Sequence, residues 1–250
     1  MNKLLSLLFI GLFFEYAHAT VDSTTLTKSE NDFVEVSDSV NSSFTNVEKK
    51  VRAAAVKVVR FNGGHGSGSL IDYKGLPLVI TAQHVTSDAI GTLYYVQSGS
   101  ESLLGVLIYS DPINDIALLY MPTEFTNASP MKYSPLENIS KLGDQIIYSA
   151  YPSSHDLLSF RGRVAGYENL QGRGTQIILH TYGLFGCSGS GVFDHKGNIV
   201  GFLWGVDLEH YPSTQAIEDI IWVSPIRNLN MDIALKVICE AGVEDSKACR

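Results

Sequence analysis

From Ala53 onward, short runs of β-branched and aromatic residues recur along the chain, each closed by Gly, Pro, Asn, Asp or Ser. Runs of this length and composition form strands, and turn signals at such close intervals suit an all-β domain. The first group is Val56–Phe61, Gly68–Tyr73, Pro77–Thr81, Leu93–Gln97, Leu103–Tyr109 and Ile116–Met121. The second is Gln145–Tyr151, Leu157–Tyr167, Gln176–Thr181, Gly191–Asp194, Ile199–Val206 and Asp219–Val223. Between them, Pro122 to Lys141 has no periodicity. After them, Leu229, Ile233, Leu235, Val237 and Ile238 predict a closing helix over about 226–241. The expectation is an all-β chain of two six-stranded antiparallel β-barrels, the first over about 51–125 and the second over about 142–225, with a C-terminal helix.

Three stretches carry chemistry. In Phe185-Gly186-Cys187-Ser188-Gly189-Ser190-Gly191, a serine flanked by glycines sits between apolar runs. A tight turn there exposes the hydroxyl and lets neighbouring N–H groups, those of Gly186 and Ser188, face a developing oxyanion. In Pro77-Leu78-Val79-Ile80-Thr81-Ala82-Gln83-His84-Val85, an apolar strand ends in small residues and a histidine. In Asp111-Pro112-Ile113-Asn114-Asp115-Ile116-Ala117-Leu118-Leu119, an aspartate stands where a turn enters an apolar strand. Singly, each has an ordinary structural explanation: a Gly/Ser turn, a surface histidine, an aspartate bonding nearby backbone. Together they supply a nucleophile (Ser188), a base that becomes an acid (His84) and a carboxylate that fixes the imidazole (Asp115). Cys187 is also a nucleophile type, but it lacks the following glycine that Ser188 has.

The order His, Asp, Ser resembles that of trypsin-like serine proteases of the chymotrypsin fold. The matching pieces are Gly66-Ser67-Gly68-Ser69-Leu70-Ile71, the three motifs above, and Gly197-Asn198-Ile199-Val200-Gly201-Phe202-Leu203-Trp204-Gly205, over roughly residues 53–226. The resemblance is to the bacterial, HtrA-like and glutamyl-endopeptidase-like branch, without a PDZ domain. It implies a serine endopeptidase acting through an acyl-enzyme, with catalytic His84, Asp115 and Ser188 and an oxyanion hole at Gly186 and Ser188. It also implies a substrate pocket drawn from Tyr182, Gly183, Phe185, Phe202, Leu203, Trp204 and Gly205. No carboxylate lies in those runs to pair a basic side chain, and Leu203 stands where glutamyl endopeptidases have histidine. An apolar residue before the scissile bond is therefore expected. His180, close by, either touches this pocket or is a sheet-surface residue. Cys187 cannot make the ion pair with a freshly cut N-terminus that the aspartate of trypsin makes, so activation of that kind is not expected.

The N-terminus reads as a signal peptide over 1–19: Lys3, an apolar run from Leu4 to Phe14, then Ala17-His18-Ala19, with cleavage after Ala19. Export to the periplasm or the medium follows, with no stable membrane insertion afterwards. Residues 20–47 are polar and predict a mobile leader or linker, or a pro-segment, ahead of a protease domain over 48–250. The net charge of −8 and the absence of a basic run exclude a nucleic-acid partner. The expected partner is a protein or peptide substrate. No cofactor or metal is called for, because His65 and His84 lack a third ligand at suitable spacing. Cys239 and Cys249 either close a short C-terminal loop in an oxidising compartment or, with Cys187, are free thiols. Two alternatives stand beside the endopeptidase: a non-catalytic binding module on the same fold, and an esterase using the same triad.

Overall fold

All twelve runs become strands, and they close into two rings. The computed structural model describes residues 43–210, 212–242 and 247–249. The signal peptide and all but the last residues of the polar leader lie outside the described residues. The first ring holds β1 (Ala55–Val59), β2 (His65–Tyr73), β3 (Leu76–Thr81), β4 (Leu93–Ser98), β5 (Glu101–Asp111) and β6 (Ile116–Tyr120). Their order is β1-β4-β5-β6-β3-β2, and antiparallel pairing of β1 with β2 closes it. The connector contributes one short strand that the sequence did not suggest, β7 (Met131–Lys132), parallel to β2.

The second ring holds β8 (Gln145–Ala150), β9 (Leu158–Leu170), β10 (Gly174–His180), β11 (Gly191–Asp194), β12 (Ile199–Glu209) and β13 (Gln215–Pro225). It is a closed barrel in the order β10-β13-β12-β11-β8-β9. Alternation fills it: Ile177 and Leu179 of β10 meet Ile221 and Val223 of β13 and Val200 and Leu203 of β12. The opposite face of β12 is also buried, since Ile199 and Phe202 join Phe193 in the core shared with the first barrel. The chymotrypsin-like architecture is thus as expected.

Two helical expectations need correction. The polar stretch drawn to residue 47 ends early, because Asn46–Ala54 forms a helix, α1. Thr45 caps it and Glu48 caps back, a reciprocal box that satisfies two N–H groups. Glu48 also takes a two-pronged ion pair from Arg161 of β9. That guanidinium, helped by the Thr45 bonds against the cost of burial, holds the Glu48 carboxyl down at about 2. Val51 and Ala54 are the buried apolar positions of α1, and Arg52 Nη1 reaches Ser159 Oγ at 3.0 Å.

The C-terminal helix is broken, not continuous. A 3-10 turn over Ile226–Asn228 is followed by α2 (Met231–Ala234) and α3 (Lys236–Glu240), which meet at Leu235. The buried face is Met231, Ala234, Leu235 and Ile238, and it packs on the first barrel's core. Ile233 and Val237, two of the apolar residues that predict the helix, fall on its exposed face. A disulfide joins Cys239 to Cys249. Among the described residues no helix is long and apolar enough to cross a membrane.

Candidate active site

The His84 end of the site is built within the first barrel. β3 runs out at Thr81, and a single 3-10 turn, Gln83–Val85, carries the histidine. Asp115 sits at the entry to β6 in the left-handed region, at φ +58°. Aspartate tolerates that conformation better than most residues. The turn aims its backbone and side chain at the same neighbour. The Gln83 N–H donates to the Asp115 carbonyl at 3.2 Å. The His84 N–H donates to Asp115 Oδ1 at 2.8 Å, and His84 Nδ1 lies 2.7 Å from Oδ2. Both carboxylate oxygens are thus spent on one histidine. Asp115 is buried while the His84 side chain is 48% exposed, so the ring is anchored at one edge and open at the other.

Arg60, just past β1, grips the same turn from the other side. Its guanidinium donates to the His84 carbonyl, to the Val85 carbonyl at 2.7 Å and to Ser87 Oγ at 3.0 Å. Nothing in the sequence around Arg60 signals this role.

The Ser188 loop belongs to the second barrel by sequence but is held by both. Ser67 of β2 does most of the work. Its N–H donates to the Ser188 carbonyl at 2.8 Å and its Oγ donates to the Gly186 carbonyl at 2.7 Å. The same Oγ accepts the Tyr151 N–H at 2.9 Å. Ser69 Oγ accepts the Gly191 N–H at 3.0 Å. From the second barrel, the Leu203 carbonyl accepts the Gly189 N–H at 2.7 Å, and the Leu203 N–H donates to Ser190 at 3.0 Å. Gly189 has φ +93°, and a Cβ there would stand 2.2 Å from the Ser67 carbonyl and 2.7 Å from the Ala82 nitrogen. The loop therefore presses onto the strand end that leads to His84, and only glycine fits.

Within this loop the N–H groups of Cys187, Gly189 and Ser190 are all bonded. Those of Gly186 and Ser188 have no acceptor among the described residues. Gly186 is at φ +94°, with the Tyr151 carbonyl 2.6 Å from where a Cβ would be. Two unspent donors flanking a half-buried serine can receive an anionic oxygen. Behind them, Cys187 is fully buried, and burial pushes its thiol up to about 11. A thiol so far above neutrality stays protonated, which makes Cys187 a core residue. His65 of β2 borders Gly186, its Nε2 3.1 Å from the Tyr151 carbonyl, and burial lowers its affinity for a proton.

The expected pocket residues separate. Tyr182 and Phe185 are exposed, at 39% and 70%. Tyr182 stacks on Phe160, which stacks on Tyr148. Gly183 lies against Ile221 and donates its N–H to the Glu218 carbonyl at 2.7 Å. Phe202 and Leu203, expected to line the pocket, are 0% and 1% exposed and point into the cores. Both faces of β12 are covered there, so these two offer only backbone. Trp204 and Gly205 lie where β12 skips register against β13. A groove of 1140 Å³ runs past Tyr182, Arg161, Arg163 and His180 but is lined by none of His84, Asp115 and Ser188. His180 is an exposed residue of that groove, 3.8 Å from Asp219.

Of the residues missed, Ser67 and Ser69 left the clearest trace. Alternating Gly and Ser inside a strand, Gly66-Ser67-Gly68-Ser69, signals close approach of another backbone.

A family model described as a trypsin-like peptidase domain matches residues 66–202. Among solved structures, the chain is similar to the active form of the Rv3671c protease from M. tuberculosis. Identity is 18% and the TM-score 0.60, covering 77% of this chain and 84% of that one. The inactive form of the Rv3671c protease is similar at 18% identity and TM-score 0.58, covering 73% of this chain and 88% of that one. At such identity these likenesses speak to the fold. Comparison with curated proteins finds no match.

Proposed function

The chain belongs to the trypsin-like peptidase domain family, and on that premise we propose that it is an exported serine endopeptidase. The observation that carries this reading is the junction itself. A carboxylate spends both oxygens on His84, while the Ser188 loop, pinned against the adjoining strand end, leaves two N–H groups unspent.

Ser188 Oγ attacks the peptide carbonyl as His84 takes its proton through Nε2, the nitrogen that Asp115 leaves open. The carbonyl oxygen becomes anionic and is received by the Gly186 and Ser188 N–H groups, which need no reorganisation. Asp115 stabilises the imidazolium without being protonated itself. Collapse expels the amine, which takes the proton from His84, and leaves an ester on Ser188. Water, deprotonated by His84, then attacks this ester and restores the serine. Substrate lies along β12. Pairing of β11 with β12 ends at Phe202↔Gly191, and the stretch from Gly205 to Glu209 pairs only with β13, so one edge is open to an extended peptide. Export rests on the signal sequence at 1–19, and the Cys239–Cys249 disulfide suits an oxidising compartment.

Hydrolysis of a denatured protein substrate tests the activity. The protein should cleave it and Ser188→Ala should not; equal cleavage by both would overturn the assignment. Sequencing the N-terminus of secreted protein tests export, with Thr20 the expected first residue.

A further inference from the structure

The hairpin between β9 and β10 carries a cation that no acid among the described residues pairs. Its tip closes where Leu170 pairs with Gly174, and the Arg173 N–H donates to the Leu170 carbonyl at 3.1 Å. The Arg173 guanidinium lies over the Trp204 indole, 4.5 Å from the ring centroid. That indole is itself fixed, because Trp204 Nε1 donates to Gln176 Oε1 at 3.0 Å. Gln176 is wholly buried, and its Nε2 donates to the Arg173 carbonyl at 3.0 Å. The two residues are therefore clamped together by a buried amide.

The guanidinium spends none of its donors on the described residues. Arg173 Nη1 is buried without an acceptor, and the remaining nitrogens make no hydrogen bond among the described residues. Among the described residues Arg173 forms no ion pair, not even with Glu168 or Asp207 on the adjoining strands. An unpaired, partly desolvated guanidinium is costly, and this one is held in place on a rigid platform. Its position is informative. Leu203, the residue before Trp204, is bonded to Gly189 and Ser190 directly after Ser188. Trp204 begins the open edge of β12, along which the endopeptidase reading lays the acyl portion of an extended substrate.

We propose that Arg173 is a specificity-determining residue that selects an acidic side chain two to four positions before the scissile bond. This rests on the serine endopeptidase reading. A carboxylate approaching along the β12 edge meets a planar fork already oriented by stacking, so little side-chain freedom is lost on binding.

The test uses pairs of internally quenched peptides identical except for Glu or Gln at the second, third or fourth residue before the cleaved bond. The protein should favour Glu by about tenfold in kcat/KM at one of these positions, the scale of one charge-assisted hydrogen bond. Arg173→Met, which keeps an apolar stem over Trp204, should bring that ratio near one, and Arg173→Glu should favour Gln over Glu. A Glu/Gln ratio near one in the unaltered protein, or a preference that survives in Arg173→Met, would overturn the inference. Retention of the same peptides on immobilised Ser188→Ala protein reads the preference without turnover. Fluorophosphonate labelling of Ser188 separates the two failures: labelling without a Glu preference sinks the Arg173 inference alone, whereas its absence sinks the endopeptidase reading.

Discussion

The two halves of the site are held in opposite ways. The His84 turn is fixed wholly from its own barrel, by Asp115 at the start of β6 and Arg60 at the end of β1. The Ser188 loop is fixed from both barrels, with Ser67 and Ser69 of β2 reaching across to Gly186, Ser188 and Gly191. On the proposed reading, the base is thus oriented by contacts within the first barrel alone. The proposed nucleophile and its N–H donors owe their geometry to contacts from both barrels. Changes at the seam should therefore damage the oxyanion end and spare the His84–Asp115 pair.

The largest effect is expected from Gly189→Ala. Its Cβ would collide with backbone, which cannot step aside, so folding stability should drop by about 3–5 kcal/mol and hydrolysis should vanish. Thermal unfolding measures this, and a protein of unchanged melting temperature would break the picture of a loop pressed between barrels. Asp115→Asn comes next. Asparagine tolerates the left-handed backbone, so the fold should persist while kcat falls by roughly 10⁴, the scale for a triad whose imidazole loses its orienting carboxylate. A loss below tenfold would mean that Asp115 only shapes the turn.

Ser67→Ala sharpens the contrast. It leaves the Gly186 carbonyl and the Tyr151 N–H without their partner and should cost about 1–3 kcal/mol. Because Ser67 positions the loop without touching substrate, kcat should fall about 10- to 100-fold with KM nearly unchanged. Affinity for a boronate transition-state analogue should fall in parallel. A rise in KM alone would place Ser67 in substrate binding. Glu48→Gln, far from the chemistry, should leave kcat unaltered. Folding lowers the Glu48 pKa from 4.5 to about 2. Its contribution is therefore complete above pH 4.5 and is lost as pH falls from there toward 2. Acid titration of stability should show this loss in the unaltered protein and a flatter profile in Glu48→Gln.

How much of this is written in the sequence differs between the halves too. The strands were legible because short runs of β-branched and apolar residues lie between turn signals, as Ile177–Leu179 does, and such runs stay buried in the barrel. The residues Asp115 and His84 were legible because each sits at a strand boundary in its motif. α1 was not, since it buries few apolar side chains and its polar look hid the Thr45–Glu48 box that begins it. The buried face of 231–238 was not legible, because the exposed Ile233 and Val237 are as apolar as the residues that are buried. The reach of Ser67 to Gly186 spans 119 residues and depends on barrel docking, which no local pattern encodes. Arg173 was invisible for the same reason: its platform, Trp204, lies on another strand.

The most direct measurement is the intact mass of purified protein after treatment with a fluorophosphonate probe, compared with Ser188→Ala and His84→Ala. The account predicts a single adduct, mapped to Ser188, that disappears in Ser188→Ala and forms far more slowly in His84→Ala. A folded protein that takes no adduct, or one that still takes it in Ser188→Ala, would contradict it.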